Sequence, residues 1–174
     1  FPPPPPPPTT HHPPLTPHPP PLTPQMAHEQ KKNHFFTQGA ISPQLVAESI
    51  TKHSLKKNIG AHNIFLGQVR ADLINDKTVC AIEYSAYIEM AQKEMERIRE
   101  QVIVKHGLTC AHVLHSLGKV NAGEISLFVF VSSPHRGAAF DACEEMVDLI
   151  KKEVPIFGKE LFDDSTYQWK ENNI

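Results

Sequence analysis

The sequence is poor in cysteine, in unbroken apolar runs and in excess charge of either sign. Its three cysteines are odd in number and have no CxxC spacing, which argues against both a disulfide framework and a zinc site. No apolar run approaches the roughly 20 residues of a membrane-spanning helix. The net charge of -2 argues against general nucleic-acid binding, which needs clustered Lys and Arg. We therefore expect a protein of the reducing cytoplasm, with no metal, cofactor, membrane or nucleic-acid partner.

Proline is abundant, but almost all of it lies in one segment. Fourteen of the seventeen prolines fall within the first 25 residues, among Thr and His. Such a segment has almost nothing to bury and cannot offset its ordering entropy by packing, so we expect residues 1–25 to be extended and disordered. They are either a polyproline ligand or, as composition favours, an upstream extension. We expect residues 26–40 to be a flexible lead-in and residues 41–174 to form one domain.

Caps and hydrophobic spacing predict the elements of this domain. Ser42 before Pro43 marks a helix start, and apolar residues recur at helical spacing in residues 87–105 and 136–153. Strand formers between turn residues predict five strands, at residues 61–69, 78–84, 109–115, 124–133 and 167–170. We expect the first two strands to pair across a turn at Asn75 and Asp76, a second turn at residues 118–123, and a loop in the segment PIFGKELF.

The order of these elements predicts the fold class. Helix, strand, strand occurs twice, without sequence identity between the two copies. Helices that alternate with paired strands are typical of two packed layers around one core. We therefore expect an α+β fold, a two-layer α/β sandwich of helix-strand-strand units with a mixed or antiparallel sheet.

Basic residues stand at the ends of the predicted elements. His135 and Arg136 lie between an apolar strand and a helix, where free backbone amides and the helix dipole favour an anion. Arg70 ends the strand FLGQVR, at a strand-to-loop junction that commonly carries ligand residues. Each position is also compatible with an ordinary surface residue. Together they predict a local anion site.

Three lysines extend this pattern. Lys151 and Lys152 lie in the last turn of a predicted helix, where a cation also simply complements the negative end of the dipole. Lys159 follows Gly158 in a predicted loop that glycine allows to approach a ligand closely. With the basic residues at the other element ends, these lysines predict one shared anion pocket.

The remaining reactive side chains do not form a catalytic or metal constellation. His112 and His115 are three residues apart on a predicted strand, and the strand period of two points them to opposite faces. Cys80, Cys110 and Cys143 lie on predicted core stripes or strands, so we interpret all three as packing residues. No residue is therefore expected to act alone as a nucleophile.

Five sequence blocks occur in a distinctive order. They are GAHNIFLGQVR, IEYSAYIEMA, VSSPHRGAAF, IKKEVPIFGKE and a late tryptophan, between Gly60 and Trp169. In this order they resemble the large, catalytic subunit family of molybdopterin synthase. The resemblance implies a hammerhead-like form of the sandwich and a sulfurtransferase that converts cyclic pyranopterin monophosphate to molybdopterin. It further implies that the sulfur arrives as a thiocarboxylate on the C-terminus of a small ubiquitin-like subunit.

The resemblance also implies site residues and an assembly. Lys151 matches the family's essential lysine, whereas Gly158 stands where the family has a second one, so we expect Lys159 to serve in its place. The expected site comprises Arg70, His135, Arg136 and Lys152 for substrate binding, and Lys151 and Lys159 for catalysis. The family forms a dimer of large subunits with one small subunit at each outer end, a heterotetramer.

Two other hypotheses stay open. Gly158 also fits a non-catalytic relative that keeps the dimer and binds the small subunit as a scaffold. A phosphate-binding hydrolase, the third hypothesis, would need an acid/base or metal constellation that the sequence does not contain.

Overall fold

The structure, a computed structural model, describes residues 35–170, and our predictions for residues 1–34 and 171–174 lie outside that range. The described chain forms three helices and eight strands, which confirms the α+β class. In chain order the elements are β1 (Phe36–Gln38), α1 (Pro43–His53), β2 (Ala61–Gln68), β3 (Leu73–Ile74), β4 (Lys77–Ala86), α2 (Ile88–His106), β5 (Cys110–Asn121), β6 (Ile125–Ser133), α3 (Arg136–Glu153), β7 (Ile156–Phe162) and β8 (Tyr167–Trp169). None of these helices has the length and apolar character needed to cross a membrane.

The eight strands form a mixed sheet. Six of them follow the order β2-β6-β5-β4-β7-β8, and β1 and β3 pair beside this path. Strand β1 runs parallel to β5, β3 pairs with β4, and the other pairings are antiparallel. Strand β5 is long because it changes partner along its length. Its first half pairs with β6, and its last residues pair with β4. The mixed sheet expected from the sequence is confirmed.

Two predicted features of the sheet are wrong, and turn residues explain both. Asn75 and Asp76 do form a turn with positive φ, but it closes the hairpin of β3 and β4; β2 pairs instead with β6. Gly118, with φ 74°, lies within β5 where that strand passes from one partner to the next. The chain reverses only at Gly123, after β5 has ended. A glycine inside a strand can mark such an irregularity and not a turn.

The segment PIFGKELF is a strand and not the loop that we expected. Residues Ile156–Phe162 form β7, which pairs with β4 on one side and β8 on the other. Pro155 ends α3 without disturbing the strand that follows it, and Gly158 is accommodated between two neighbouring strands. This strand brings Gly158 and Glu160 to the site described below.

The core lies mainly between the sheet and the helix pair α2 and α3. Apolar faces of both helices, around Met95 and Met146, pack against β6 through Val129 and Val131. Helix α1 covers part of the opposite sheet face, over Phe128 and Phe130. Strand β6 is therefore buried on both faces, which explains its nearly continuous apolar sequence within a single chain.

Part of the segment that we expected to be a flexible lead-in belongs to the core. Phe35 is 1% exposed and Phe36 is 8% exposed, and the backbone N–H of His115 donates to the Phe35 carbonyl at 2.8 Å. Burial of two aromatic side chains stabilises by several kcal/mol, roughly 1.5–3 kcal/mol each. Strand β1 has only three residues, too few for a periodic pattern to be visible in the sequence.

Candidate anion-binding pocket

A cavity of about 480 Å³ opens where the ends of β2 and α3 meet β4 and β7. Its wall combines apolar side chains of β2 and α3 with polar residues from five strands, from the end of α3 and from the segments that follow β2 and β8. The polar and charged members are Gln68, Arg70, Asp72, Tyr84, His115, Ser126, Lys151, Glu160 and Lys170. Cavities of this size, with a few convergent polar groups, are typical of small-molecule sites.

Lys151 is the pocket cation without a counter-ion. It lies in the last turn of α3, and its Nζ stands 5.8 Å from the centroid of the Phe65 ring. Arg70 and Lys170 each form an ion pair with a carboxylate. Lys151 forms none within residues 35–170. Because a helix ends with a partial negative charge, its backbone holds this ammonium in place while leaving it available to an anionic ligand.

Arg70 stands at the rim of the same pocket, just after β2. Its Nη2 lies 2.9 Å from Oδ2 of Asp72, and its side chain is 78% exposed. An exposed ion pair of this kind is worth only about 0–1 kcal/mol. The guanidinium can therefore exchange Asp72 for a phosphate or carboxylate at small cost.

A buried carboxylate holds a second pocket lysine. Glu160 is 4% exposed; its Oε1 lies 3.0 Å from Lys170 Nζ, and its Oε2 accepts a hydrogen bond from Gln168 Nε2 at 2.8 Å. The backbone N–H of Lys170 donates to the Gly158 carbonyl at 2.9 Å. A Cβ at Gly158 would lie 3.6 Å from both Cβ and Cδ of Lys170, so the Lys170 stem covers the space left by the glycine.

Neutral polar groups line the inner wall. Tyr84 donates to Ser126 Oγ at 3.3 Å, and Ser126 Oγ donates to the Gly67 carbonyl at 3.3 Å. Burial lowers the pKa of His115 to about 4, against the opposing hydrogen bond to the Ser116 carbonyl, and burial also raises the pKa of Tyr84. Both rings, which meet edge to face at 5.0 Å, are thus uncharged at neutral pH.

The sequence missed Glu160 and Lys170 because β7 was interpreted as a loop. Alternate β7 residues face the pocket, among them Gly158 and Glu160, while Lys159 lies on the opposite face. There its Nζ is 2.5 Å from Glu83 and 5.0 Å from the centroid of the Tyr167 ring. The strand period of two, applied to β7, would have separated Lys159 from the pocket.

The other predicted site residues are not brought together within one chain. His135 and Arg136 are exposed at the start of α3. Lys151 follows Arg136 by 15 residues on this helix, a separation of about 22 Å at about 1.5 Å per residue. Lys152 faces a different hollow on the helix, lined by Asp141, Glu144, Glu145 and Asp148 among others. Arg70 and Lys151 are therefore the predicted residues that share the pocket.

Comparison with known proteins identifies the family. Residues 36–153 match the MoaE protein family, and the chain belongs to that family. It is 39% identical over 115 residues to the molybdopterin synthase catalytic subunit of Aspergillus niger, covering 66% of this chain and 63% of that one. It is 41% identical over 110 residues to the same subunit of Pyrococcus abyssi, covering 63% of this chain and 73% of that one. The chain thus spans less than two thirds of the Aspergillus niger relative.

Two solved structures share the fold, and the first of them supports the same assignment. Molybdopterin synthase from Staphylococcus aureus superposes with a TM-score of 0.70 at 29% identity, covering 80% of this chain and 97% of that one. A complex of subunits 1 and 2 of the molybdopterin-converting factor from Helicobacter pylori superposes with a TM-score of 0.67 at 20% identity, covering 79% and 90%. The resemblance found in the sequence blocks is confirmed.

Proposed function

We propose that the chain is the catalytic subunit of a molybdopterin synthase, a sulfurtransferase that converts cyclic pyranopterin monophosphate to molybdopterin. The sulfur comes from the thiocarboxylated C-terminus of a small ubiquitin-like subunit. One observation carries the proposal. In a MoaE-family chain, the ammonium of Lys151 faces a cavity of suitable size and has no counter-ion within residues 35–170. The relatives from Aspergillus niger and Pyrococcus abyssi, both molybdopterin synthase catalytic subunits, support it.

The chemistry of the pocket wall fits sulfur that arrives from outside. None of the three cysteines lines the cavity, and Ser126 is engaged in hydrogen bonds. The nucleophile is then the thiocarboxylate of the partner, and the pocket contributes position and charge stabilisation. Arg70 binds the substrate phosphate through charge-assisted hydrogen bonds, and Lys151 stabilises the negative charge that develops on oxygen as the thiocarboxylate sulfur attacks carbon.

We further propose that Lys170, and not Lys159, replaces the lysine that the family carries at Gly158. Lys159 is paired with Glu83 outside the pocket. Lys170 lies over Gly158, with its Nζ fixed by the buried Glu160. Because Gly158 has no side chain, the Lys170 stem occupies the room that a lysine there would need. β7 thus lacks the family's lysine, and a lysine after β8 stands beside the same place.

The assembly that we propose is a dimer of this chain with one small subunit at each outer end. His135 and Arg136 are too far from Lys151 to share its substrate within one chain, but they are exposed and can reach the pocket of a second copy. The Helicobacter pylori structure is a complex of subunits 1 and 2 of the molybdopterin-converting factor. We also propose a cytoplasmic location, which the three free cysteines support because thiols stay reduced there.

The decisive experiment supplies the full-length chain with thiocarboxylated small subunit and cyclic pyranopterin monophosphate, and measures molybdopterin formed per chain. We expect turnover. The same small subunit with an ordinary carboxylate C-terminus is the control, and it should bind without giving product. Complex formation without product from the thiocarboxylate would favour the scaffold hypothesis, and absence of both complex and product would overturn the proposal.

A further inference from the structure

Three side chains with metal-binding atoms converge where the end of α1 lies on β5, and none of them lines the anion pocket. They are His53, Cys110 and His112, and one donor atom from each lies within 4.8 Å of the other two. The closest approach joins Nε2 of His53 to Nε2 of His112, at 3.1 Å. We propose that these three residues bind a zinc ion, at a site independent of sulfur transfer.

Strand geometry produces the first half of the cluster. Cys110 and His112 are two residues apart on β5, so they point to the same face of the sheet. Their partners on β6 are Ser132 and Phe130, and Phe130 belongs to the face that α1 covers. Cysteine and histidine at this spacing present a thiolate and an imidazole side by side. In the sequence we considered His112 only with His115, three residues away, and interpreted Cys110 as a packing residue.

The helix supplies the third ligand in a fixed orientation. His53, the last residue of α1, is 7% exposed, and its ring packs 4.7 Å from the ring of Phe130. Its Nδ1–H donates to the Ser49 carbonyl at 2.6 Å, which leaves the lone pair of Nε2 directed at His112. Metal-binding histidines commonly donate their second ring N–H to a backbone carbonyl in this way, because it sets both tautomer and ring orientation.

The donor set and the spacing of its two imidazoles fit zinc. Zinc binds imidazole nitrogen at about 2.0–2.1 Å and thiolate sulfur at about 2.3 Å in a tetrahedron, so two nitrogen ligands stand about 3.3 Å apart. The observed 3.1 Å between the two imidazoles is close to this value. Two imidazoles and a thiolate favour zinc over the hard cations Mg²⁺ and Ca²⁺, which prefer oxygen.

Three protein ligands leave a fourth position open. His112 is exposed, so water can reach that position. Within residues 35–170, the ring of His62 also contacts that of His53, with centroids 6.1 Å apart. Its Nδ1 is hydrogen-bonded to Ser132 Oγ at 2.8 Å. The bound ion would join α1 to the central part of the sheet, which predicts a stabilising role, since an ion that binds only the folded chain raises its stability.

The test uses the full-length chain, reduced and freed of metal, titrated with Co²⁺ as a spectroscopic substitute for zinc. The five histidines of residues 1–34 can also bind metal ions, but only a cysteine gives thiolate-to-cobalt charge-transfer absorption. We expect this absorption to saturate at one equivalent of Co²⁺, and Zn²⁺ to displace the cobalt and raise Tm.

Matched variants identify the ligands. Cys110→Ala should abolish the charge-transfer absorption, and His112→Ala, at an exposed position, should weaken zinc binding by about a hundredfold or more without unfolding the chain. Cys80→Ala, which removes an exposed cysteine outside the cluster, should change neither. Metal binding without thiolate absorption, absorption that survives Cys110→Ala, or equal zinc affinity in His112→Ala would each overturn the proposal.

Discussion

The two ends of α3 both carry basic residues, but their surroundings differ completely. At the first end, His135 and Arg136 are exposed, and neither side chain has an ion pair or hydrogen bond within residues 35–170. At the last end, Lys151 faces a cavity together with Arg70 and Lys170. One helix thus presents cations to solvent alone at its start and, through Lys151, to an open pocket at its finish.

The helix dipole explains why the two ends are built differently. The start of a helix attracts anions through its free backbone N–H groups, so a short exposed pair such as His135 and Arg136 suffices. The finish carries partial negative charge and repels anions. An anion site there needs additional cations and walls from other elements, which β2 and β7 and the segment after β8 provide around Lys151.

The largest effect on activity is expected at the last end of α3, where Lys151 faces the pocket. Lys151→Ala should lower the single-turnover rate of molybdopterin formation, under saturating thiocarboxylated partner, by about a hundredfold or more, as loss of one preorganised charge-stabilising group does elsewhere. Binding of the small subunit and Tm should be retained. Lys152→Ala is the matched control, because that neighbour faces an acidic hollow outside the pocket. Equal rates for wild type and Lys151→Ala would remove Lys151 from the mechanism.

The burial of His115 in the pocket wall should also be visible in the pH dependence of the free energy of unfolding. His115 takes up a proton near pH 6.5 when unfolded, but only near pH 4 when folded, so the unfolded state binds more protons between these values. Its contribution disfavours folding progressively as the pH falls from about 6.5 to about 4, by roughly 3 kcal/mol in total. His115→Asn should flatten the pH dependence of urea unfolding in this range. An unchanged slope would contradict a neutral buried imidazole.

The exposed end can be tested by complementation between chains. If Arg136 acts in the pocket of a second copy, Arg136→Ala should weaken substrate binding about tenfold or more. Refolding it with an equal amount of Lys151→Ala should then create mixed dimers with one intact site, and restore about a quarter of wild-type activity. Mixed dimers no more active than the separate variants would show that Arg136 serves the pocket of its own chain or none.

The sequence predicted local features well and spatial ones poorly. Both ends of α3 followed from apolar periodicity and from Pro155, and the cap at Ser42 is confirmed by its hydrogen bond from the Leu45 N–H at 3.4 Å. The 22 Å or so between Arg136 and Lys151 follows from about 1.5 Å per residue, yet their positions at element ends led us to predict one shared pocket for them. Contacts between strands distant in sequence, such as the pairing of β2 with β6, could not be derived from local patterns.

A smaller effect distinguishes the two lysines near Gly158. Lys170→Ala removes a cation that faces the cavity and should lower activity about tenfold, since a charge-assisted hydrogen bond is worth roughly 1.5–3 kcal/mol. Lys159→Ala breaks a pair with Glu83 on the other face and should change activity less than about twofold. Single-turnover rates measure both. Our expectation from the sequence gave Lys159 the role that the geometry supports for Lys170.

A double variant controls for simple loss of stability in Lys170→Ala, which leaves the buried Glu160 without its ion pair. Adding Gly158→Lys restores an ammonium at the position where the family carries it. Its Cβ would meet Ile82 Cγ2 at 3.1 Å, so that side chain must shift slightly. We expect partial recovery of activity in the double variant. Lower activity for Lys159→Ala than for Lys170→Ala would reverse the assignment.

The smallest effect is expected from a region that touches neither end of α3. Removing residues 1–25 deletes fourteen of the seventeen prolines and almost no apolar side chain, so activity and Tm should stay nearly unchanged. Removing residues 1–38 is the matched control. It also deletes Phe35 and Phe36, which are buried in the core, and should cost roughly 3 kcal/mol or more. Thermal unfolding of the two truncated chains measures the contrast. A large loss of Tm on removing residues 1–25 alone would show that the proline-rich segment packs on the domain, and the polyproline composition would then have to be explained as part of the fold.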